Sequence, residues 1–101
     1  MKNELAGRKF KFSYGDFEVV DAFSETHISY EVISGEFKGV KGEVPYSINQ
    51  VSDGIYAISW QEPDGATITH VDDLNTGTSL SYFTASDLSF YQMKGTFIEL
   101  D

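Results

Sequence analysis

Two residues near the middle of the chain, Trp60 and Glu62, have the type and spacing that chemistry could use. They are two positions apart, so on one strand both side chains point to the same face, together with Tyr56 and Ile58. If this face is the interior of the fold, Glu62 lies at the mouth of an apolar cavity. A carboxylate there could act as a general acid or bind a polar group of a ligand. The alternative is an ordinary solvated turn residue, because Glu62 precedes the turn sequence Pro63-Asp64-Gly65.

His70 and Asp72 share a face in the same way, on the strand predicted to follow. An imidazole and a carboxylate, grouped with a glutamate, could bind a metal or transfer a proton. The more ordinary interpretation is an exposed histidine among threonines, because two such residues at strand spacing are common by chance. We therefore predict no metal site and assign His70 to the lining of a ligand site.

Aromatic side chains occupy apolar positions on several separate strands. Phenols and an indole inside a small barrel suit an aromatic or planar ligand, although aromatic residues also fill many ordinary cores. The predicted ligand-binding residues are Tyr14, Tyr30, Tyr56, Trp60, Glu62 and His70.

These side chains belong to short segments in which apolar and polar residues alternate, which indicates strands. In the fourth segment Gly39 and Gly42 predict a bulge or bend. Residues 86–91 could hold one helical turn capped by Ser86. The predicted strands cover residues 9–14, 17–23, 28–32, 36–44, 48–51, 55–61, 66–72, 78–84 and 89–100.

Eight or nine strands at roughly ten-residue spacing, joined by consecutive hairpins, are typical of an antiparallel up-and-down β-barrel. A barrel of about eight strands can hold one small ligand. The chain has 101 residues, so we expect an all-β fold with a single domain over residues 1–101.

Composition excludes several classes of function. Seven basic residues against sixteen acidic ones give a formal charge of −9, which argues against electrostatic binding to nucleic acid. The sequence has no cysteine, which excludes a disulfide scaffold, a zinc-thiolate site and a thiol nucleophile. We expect a cytoplasmic protein without a membrane partner, since no secretory signal or long apolar run is recognisable.

Four segments resemble the MoaF-like family, named for molybdenum cofactor biosynthesis protein F. The most specific is residues 54–65, Gly-Ile-Tyr-Ala-Ile-Ser-Trp-Gln-Glu-Pro-Asp-Gly; the others are residues 5–10, 71–74 and 95–100. The resemblance covers nearly the whole chain in the same order. It implies a calycin, or lipocalin-like, barrel, but it implies little about biochemical activity.

The central segment is also similar to that of bacterial phenolic acid decarboxylases. That similarity implies a lyase without a cofactor, in which Glu62 and Tyr14 would be catalytic residues acting on a hydroxycinnamate. The chain departs from this pattern in two places. Phe12 stands where a second tyrosine would be, and no arginine occurs around Gly39-Val40-Lys41. Compared with those enzymes, this chain therefore lacks one phenol and the arginine that would bind the substrate carboxylate.

We therefore predict a barrel that binds a small apolar or aromatic molecule and needs no cofactor. The first alternative is a lyase related to the phenolic acid decarboxylases. The second is a non-catalytic module that forms a homodimer through an exposed apolar patch. Candidates for such a patch are Phe83, Phe90 and Tyr91.

Overall fold

The computed structural model describes residues 3–101, and most of these residues lie in nine antiparallel strands. Among them there is no helix long and apolar enough to cross a membrane. The strands are β1 (Lys9–Tyr14), β2 (Phe17–Phe23), β3 (His27–Val32), β4 (Lys41–Pro45), β5 (Ser47–Ser52), β6 (Ile55–Gln61), β7 (Thr67–Asp73), β8 (Thr78–Thr84) and β9 (Phe90–Leu100).

The nine strands form one sheet that curves into a nearly closed barrel. Their order is β4-β3-β2-β1-β9-β8-β7-β6-β5, so β4 and β5 are the two edges. Only Tyr46 separates β4 from β5 along the chain. β4 pairs with β3, and β5 pairs with β6. β4 also contacts β6, which brings the two ends of the sheet together. The prediction of an all-β, lipocalin-like antiparallel barrel is therefore confirmed.

The core follows the alternation of the sequence, because successive strand side chains point to opposite faces. On β6 the side chains of Tyr56, Ile58 and Trp60 are buried, so the face predicted to be interior is interior. Phe10 and Phe97 meet edge to face, with ring centroids 5.7 Å apart. Burying one large apolar side chain contributes about 1.5–3 kcal/mol, so these rings supply much of the stabilisation.

The predicted strand over residues 36–44 is wrong in its first half, because β4 begins only at Lys41. Gly35 and Gly39 have φ values of 86° and 97°, which L residues with side chains rarely adopt. The Gly39 amide donates to the Val32 carbonyl at 2.9 Å, and the Lys38 amide donates to Gly35 at 3.2 Å. Gly35 and Gly39 therefore belong to the β3–β4 turn, whereas Gly42 lies within β4.

The helical turn predicted over residues 86–91 is also wrong. Strand pairing continues as far as Thr84 opposite Phe90, which leaves only a short hairpin loop. The Ala85 amide donates to the Ser89 carbonyl at 2.8 Å, and the Leu88 amide donates to Ala85 at 2.9 Å. Leu88 takes a positive φ of 74° to close this loop. Cross-strand pairing thus outweighs the weak local preference for a helical turn.

Candidate functional site

The carboxylate of Glu62 is held in place by two neutral hydrogen-bond donors. Trp60 Nε1 donates to one carboxylate oxygen at 2.8 Å, and Tyr30 Oη donates to the other at 2.6 Å. The backbone of Glu62 is fixed as well, because its amide donates to the Ala66 carbonyl at 2.8 Å in the β6–β7 turn. The side chain of Glu62 is half-buried. The result is a positioned carboxylate at one end of the barrel.

Gly42 gives Tyr30 the room to reach Glu62. The two residues are paired across β3 and β4, and a Cβ on Gly42 would lie 2.7 Å from Tyr30 Oη. The phenol ring therefore lies over the bare backbone of Gly42. Burial, together with the nearby Glu62 carboxylate, raises the pKa of Tyr30 above its ordinary value. The phenol consequently remains a donor to Glu62.

His70 lies behind this group, among aromatic rings. Its ring centroid is 5.3 Å from that of Trp60, 5.1 Å from that of Phe12 and 6.1 Å from that of Tyr14. Its Nδ1 atom is 3.5 Å from Asp72 Oδ2. Burial by itself lowers the pKa of His70, but the neighbouring carboxylates outweigh burial and hold that pKa above its ordinary value. The residue is 4% exposed, so the alternative of a solvated histidine is wrong.

A buried chain of hydrogen bonds runs from Tyr14 to Asp72. Ser79 Oγ donates to Asp72 Oδ1 at 2.5 Å, and Tyr14 Oη is 2.8 Å from Ser79 Oγ. A hydroxyl has one proton to donate, so Tyr14 is the donor to Ser79. Burial raises the pKa of Tyr14 above its ordinary value, and the phenol keeps its proton. Tyr14 is thus joined to Asp72 through Ser79.

Asp21 is a buried acidic residue that the sequence analysis missed. It is 1% exposed, and within residues 3–101 its Oδ2 atom has no hydrogen-bond partner. Burial raises the pKa of Asp21 to about 7. A signal was available, because Phe17, Val19 and Phe23 are apolar at spacings of two and place Asp21 on the same face.

Ser79 and Ser81 were also missed, and β8 shows why. Both serines are buried on the inside of the barrel, whereas Leu80 between them is 37% exposed. On this strand the usual assignment of apolar residues to the inner face therefore fails. The small serines leave space for the Tyr14 phenol and the Asp72 carboxylate on neighbouring strands.

Tyr56 is separate from the Glu62 group. Its phenol donates to the Glu4 carboxylate, and it lines a cavity of about 10 Å³ together with Leu5, Phe10 and Leu74. Of the six predicted residues, the structure joins Tyr30, Trp60 and Glu62 by hydrogen bonds. His70 and Tyr14 lie deeper, and Tyr56 lies elsewhere in the barrel.

The cavity beside Tyr56 has room for about one water molecule, so the barrel is tightly filled there. A second concavity, of about 510 Å³, lies on the outer face of the sheet. Its lining includes both cationic and anionic side chains, among them Lys9, Lys41, Glu31 and Glu43. Within residues 3–101, no cluster of three or more His, Cys, Asp or Glu side chains could hold a metal ion.

The electrostatic environment inside the barrel is acidic. Asp21 and Asp72 are buried and Glu62 is half-buried, whereas no Lys or Arg of the described residues is buried. Arg8 instead forms a surface ion pair with Glu99, with nitrogen and oxygen 2.8 Å apart. The interior therefore favours a positively charged or hydrogen-bond-donating group over an anion.

Comparison with known proteins agrees with this architecture. The model of the MoaF-like family matches residues 6–98. A crystal structure of a protein from Burkholderia vietnamiensis, provisionally named a beta-lactamase, is 34% identical in sequence. It superposes with a TM-score of 0.96, and the match covers 99% of each chain. No curated protein matches the chain.

Proposed function

The chain belongs to the MoaF-like family, and from that premise we propose that its barrel binds a small aromatic molecule carrying a hydrogen-bond donor. The ligand lies at the end of the barrel formed by Tyr30, Trp60 and Glu62. Its flat apolar body contacts the indole, and its donor group binds the Glu62 carboxylate.

One observation carries this proposal: Glu62 is positioned by two neutral donors, Tyr30 and Trp60, and no Lys or Arg among residues 3–101 contributes to holding it. Each carboxylate oxygen can accept more than one hydrogen bond, so Glu62 retains acceptor capacity. A preorganised group of this kind binds a ligand with little further ordering, which lowers the cost of association.

The depth of binding follows from how tightly the barrel is filled. The cavity beside Tyr56 holds about 10 Å³, far below the ~300 Å³ of an ordinary ligand pocket. We therefore place the ligand at the Glu62 end of the barrel, where that side chain is half-buried, with His70 forming the inner wall through its contact with Trp60.

The acidic side chains inside the barrel argue against the lyase alternative. A hydroxycinnamate carries a carboxylate, which would meet Glu62, Asp21 and Asp72. Within residues 3–101 the one buried group that can be cationic is His70, and it already faces Asp72 at 3.5 Å. Leaving such a charge unpaired in a partly buried site is costly. Phe12, which lies 5.1 Å from His70 between ring centroids, also supplies no hydroxyl. Our proposal is therefore binding and not decarboxylation.

The lactamase name of the Burkholderia protein is not carried over to this chain. Serine β-lactamases use a Ser-x-x-Lys segment for the nucleophile and its neighbouring lysine, and this sequence contains no such segment.

Fluorescence of Trp60, the single tryptophan of the chain, tests the proposal directly. Three probes share a 4-hydroxyphenyl group but differ in charge: tyramine is a cation, p-cresol is neutral and p-coumarate is an anion. We expect affinity to decrease in that order. In the Glu62→Gln variant, which has the same shape without the charge, tyramine should bind about tenfold more weakly or worse, while p-cresol changes little.

Glu31→Gln is the matched control, because Glu31 is exposed on β3 and its neutralisation should leave tyramine binding unchanged. If none of the three probes alters Trp60 emission, the binding proposal is wrong. Release of carbon dioxide from p-coumarate, abolished in Glu62→Gln, would instead support the lyase.

A further inference from the structure

Strand β9 extends beyond β1, its neighbour on one side. β8 pairs with β9 as far as Thr84 opposite Phe90, but β1 pairs with it only from Thr96 to Leu100. Within residues 3–101, no strand pairs with the other side of residues 90–95. Residues 90–94 of this stretch are an open edge at which backbone donors and acceptors can pair with another chain.

The other two edges of the sheet are less suited to pairing. β4 ends at Pro45, which has no amide proton to donate. β5 contains a register shift between Gln50 and Ser52, an irregularity that discourages pairing at an edge. β4 and β5 also follow one another around the closure of the barrel. The β9 edge has no such bulge or proline.

The surface around the β9 edge is apolar and nearly uncharged. Leu88, Phe90 and Tyr91 are 83%, 57% and 51% exposed. From residue 88 to residue 98 the only charged side chain is Lys94, although the chain has a net charge of −9. Elsewhere two copies would meet with acidic surfaces that repel each other, and here they would not.

We propose that residues 90–94 of β9 pair with the same residues of a second copy of this chain, antiparallel and centred on Gln92. Across the two-fold axis Phe90 faces Lys94 of the other copy, Tyr91 faces Met93, and Gln92 faces Gln92.

This register is self-complementary. A lysine opposite an aromatic ring, a methionine opposite an aromatic ring and two facing amides are each favourable neighbours. No pair of like charges results. A strand that matches itself in this way favours a second copy over an unrelated partner, and the pairing closes as a dimer because both copies use the same edge.

The proposed dimer lies beside the candidate ligand site. Gln61 pairs with Thr67, Thr67 pairs with Thr84, and Thr84 pairs with Phe90. The Glu62 turn and the β9 edge are thus on the same end of the barrel, although dimerisation does not depend on ligand binding.

Sedimentation equilibrium of the full chain, with light scattering, tests the proposal. We expect a concentration-dependent dimer with a dissociation constant below roughly 1 mM. Phe90→Lys places two lysines opposite each other and should give a monomer, whereas Phe90→Glu faces Lys94 and should dimerise at least about tenfold more tightly than Phe90→Lys. If net charge alone controlled association, Phe90→Lys would dimerise more tightly than Phe90→Glu, because the chain is already acidic. Adding Lys94→Glu to Phe90→Lys should restore the dimer.

Val51→Lys is the control, since Val51 is 63% exposed on β5 and this substitution should not change the oligomeric state. Circular dichroism confirms that each variant is folded. A wild-type chain that is monomeric throughout the concentration range overturns the proposal. So does a dimer that the two Phe90 variants weaken equally and that the charge swap does not restore.

Discussion

Ser79 is the junction of the buried polar residues. Its hydroxyl donates to Asp72 and accepts from Tyr14, so a single small side chain satisfies two larger groups on β1 and β7. Buried donors and acceptors that lose their partner cost more than an ordinary hydrogen bond contributes. Ser79 therefore contributes more to stability than Tyr14, because it is the hydrogen-bond partner of both Tyr14 and Asp72.

Replacing Ser79 should consequently cost more than replacing Tyr14. Ser79→Ala leaves the Tyr14 hydroxyl and Asp72 Oδ1 without their partner, and we expect a loss of roughly 2–4 kcal/mol in the free energy of unfolding. Tyr14→Phe removes only the outer donor and should cost about 0.5–1.5 kcal/mol. Urea denaturation of both variants measures this. Equal losses would show that Ser79 does not connect the two groups.

Sequence reasoning identified some of these residues because the signal was local. Trp60 and Glu62 are two positions apart, so alternation alone placed them together. The hydrogen bond from Tyr30 to Glu62 joins residues 32 positions apart and depends on how the barrel closes. Asp21 and Ser79 were missed because polar residues are usually outside, although the period of two on β2 placed Asp21 on the inner face.

At the scale of the strand, two glycines without positive φ are fixed by what lies beside them. A Cβ on Gly42 would meet the end of the Tyr30 side chain, which can move. A Cβ on Gly95 would overlap the backbone carbonyl oxygen of Ser13 on β1. β1 and β9 are neighbours in the sheet, so Gly95 permits the contact between the first and last strands.

Gly95→Ala should therefore be much more destabilising than Gly42→Ala. A backbone atom cannot yield as a side chain can, so we expect Gly95→Ala to cost about 3 kcal/mol or more and Gly42→Ala about 1 kcal/mol. Thermal unfolding followed by circular dichroism compares them, with Thr96→Ala as a nearby exposed control on β9. If Gly95→Ala unfolds at the wild-type temperature, β1 and β9 do not require this close approach.

The order and type of the strands were predictable, but some of their ends were not. Alternation identified β1, β2, β6 and β8 with the bounds that the structure has. Gly39 was read as a bulge within a strand, although its positive φ makes it part of a turn. Residues 86–91 lack a decisive local pattern, and the pairing of β8 with β9 determines their conformation. Long-range pairing sets these ends, and sequence alternation contains no information about it.

At the scale of the whole molecule, closing the sheet concentrates acidic groups. β2 contributes Asp21, and β7 contributes His70 and Asp72. Tyr14 from β1 and Ser79 from β8 border the same cluster. An interior that holds two carboxylates around one imidazole has a charge that depends on pH, so folding stability must depend on pH as well.

The free energy of unfolding should decrease as pH rises from about 5 to 8. Burial raises the pKa of Asp21 from 3.8 to about 7, so between these values the folded chain holds a proton that the unfolded chain has released. The pKa of His70 is also raised, and it adds a loss of the same sign above its ordinary value of 6.5. Asp21→Asn cannot ionise, so it should match the wild type at pH 5 and exceed it at pH 8 by up to roughly 3 kcal/mol. Urea denaturation at each pH measures both curves, with Glu31→Gln as the exposed control. Parallel curves for Asp21→Asn and the wild type would show that Asp21 does not titrate in this range.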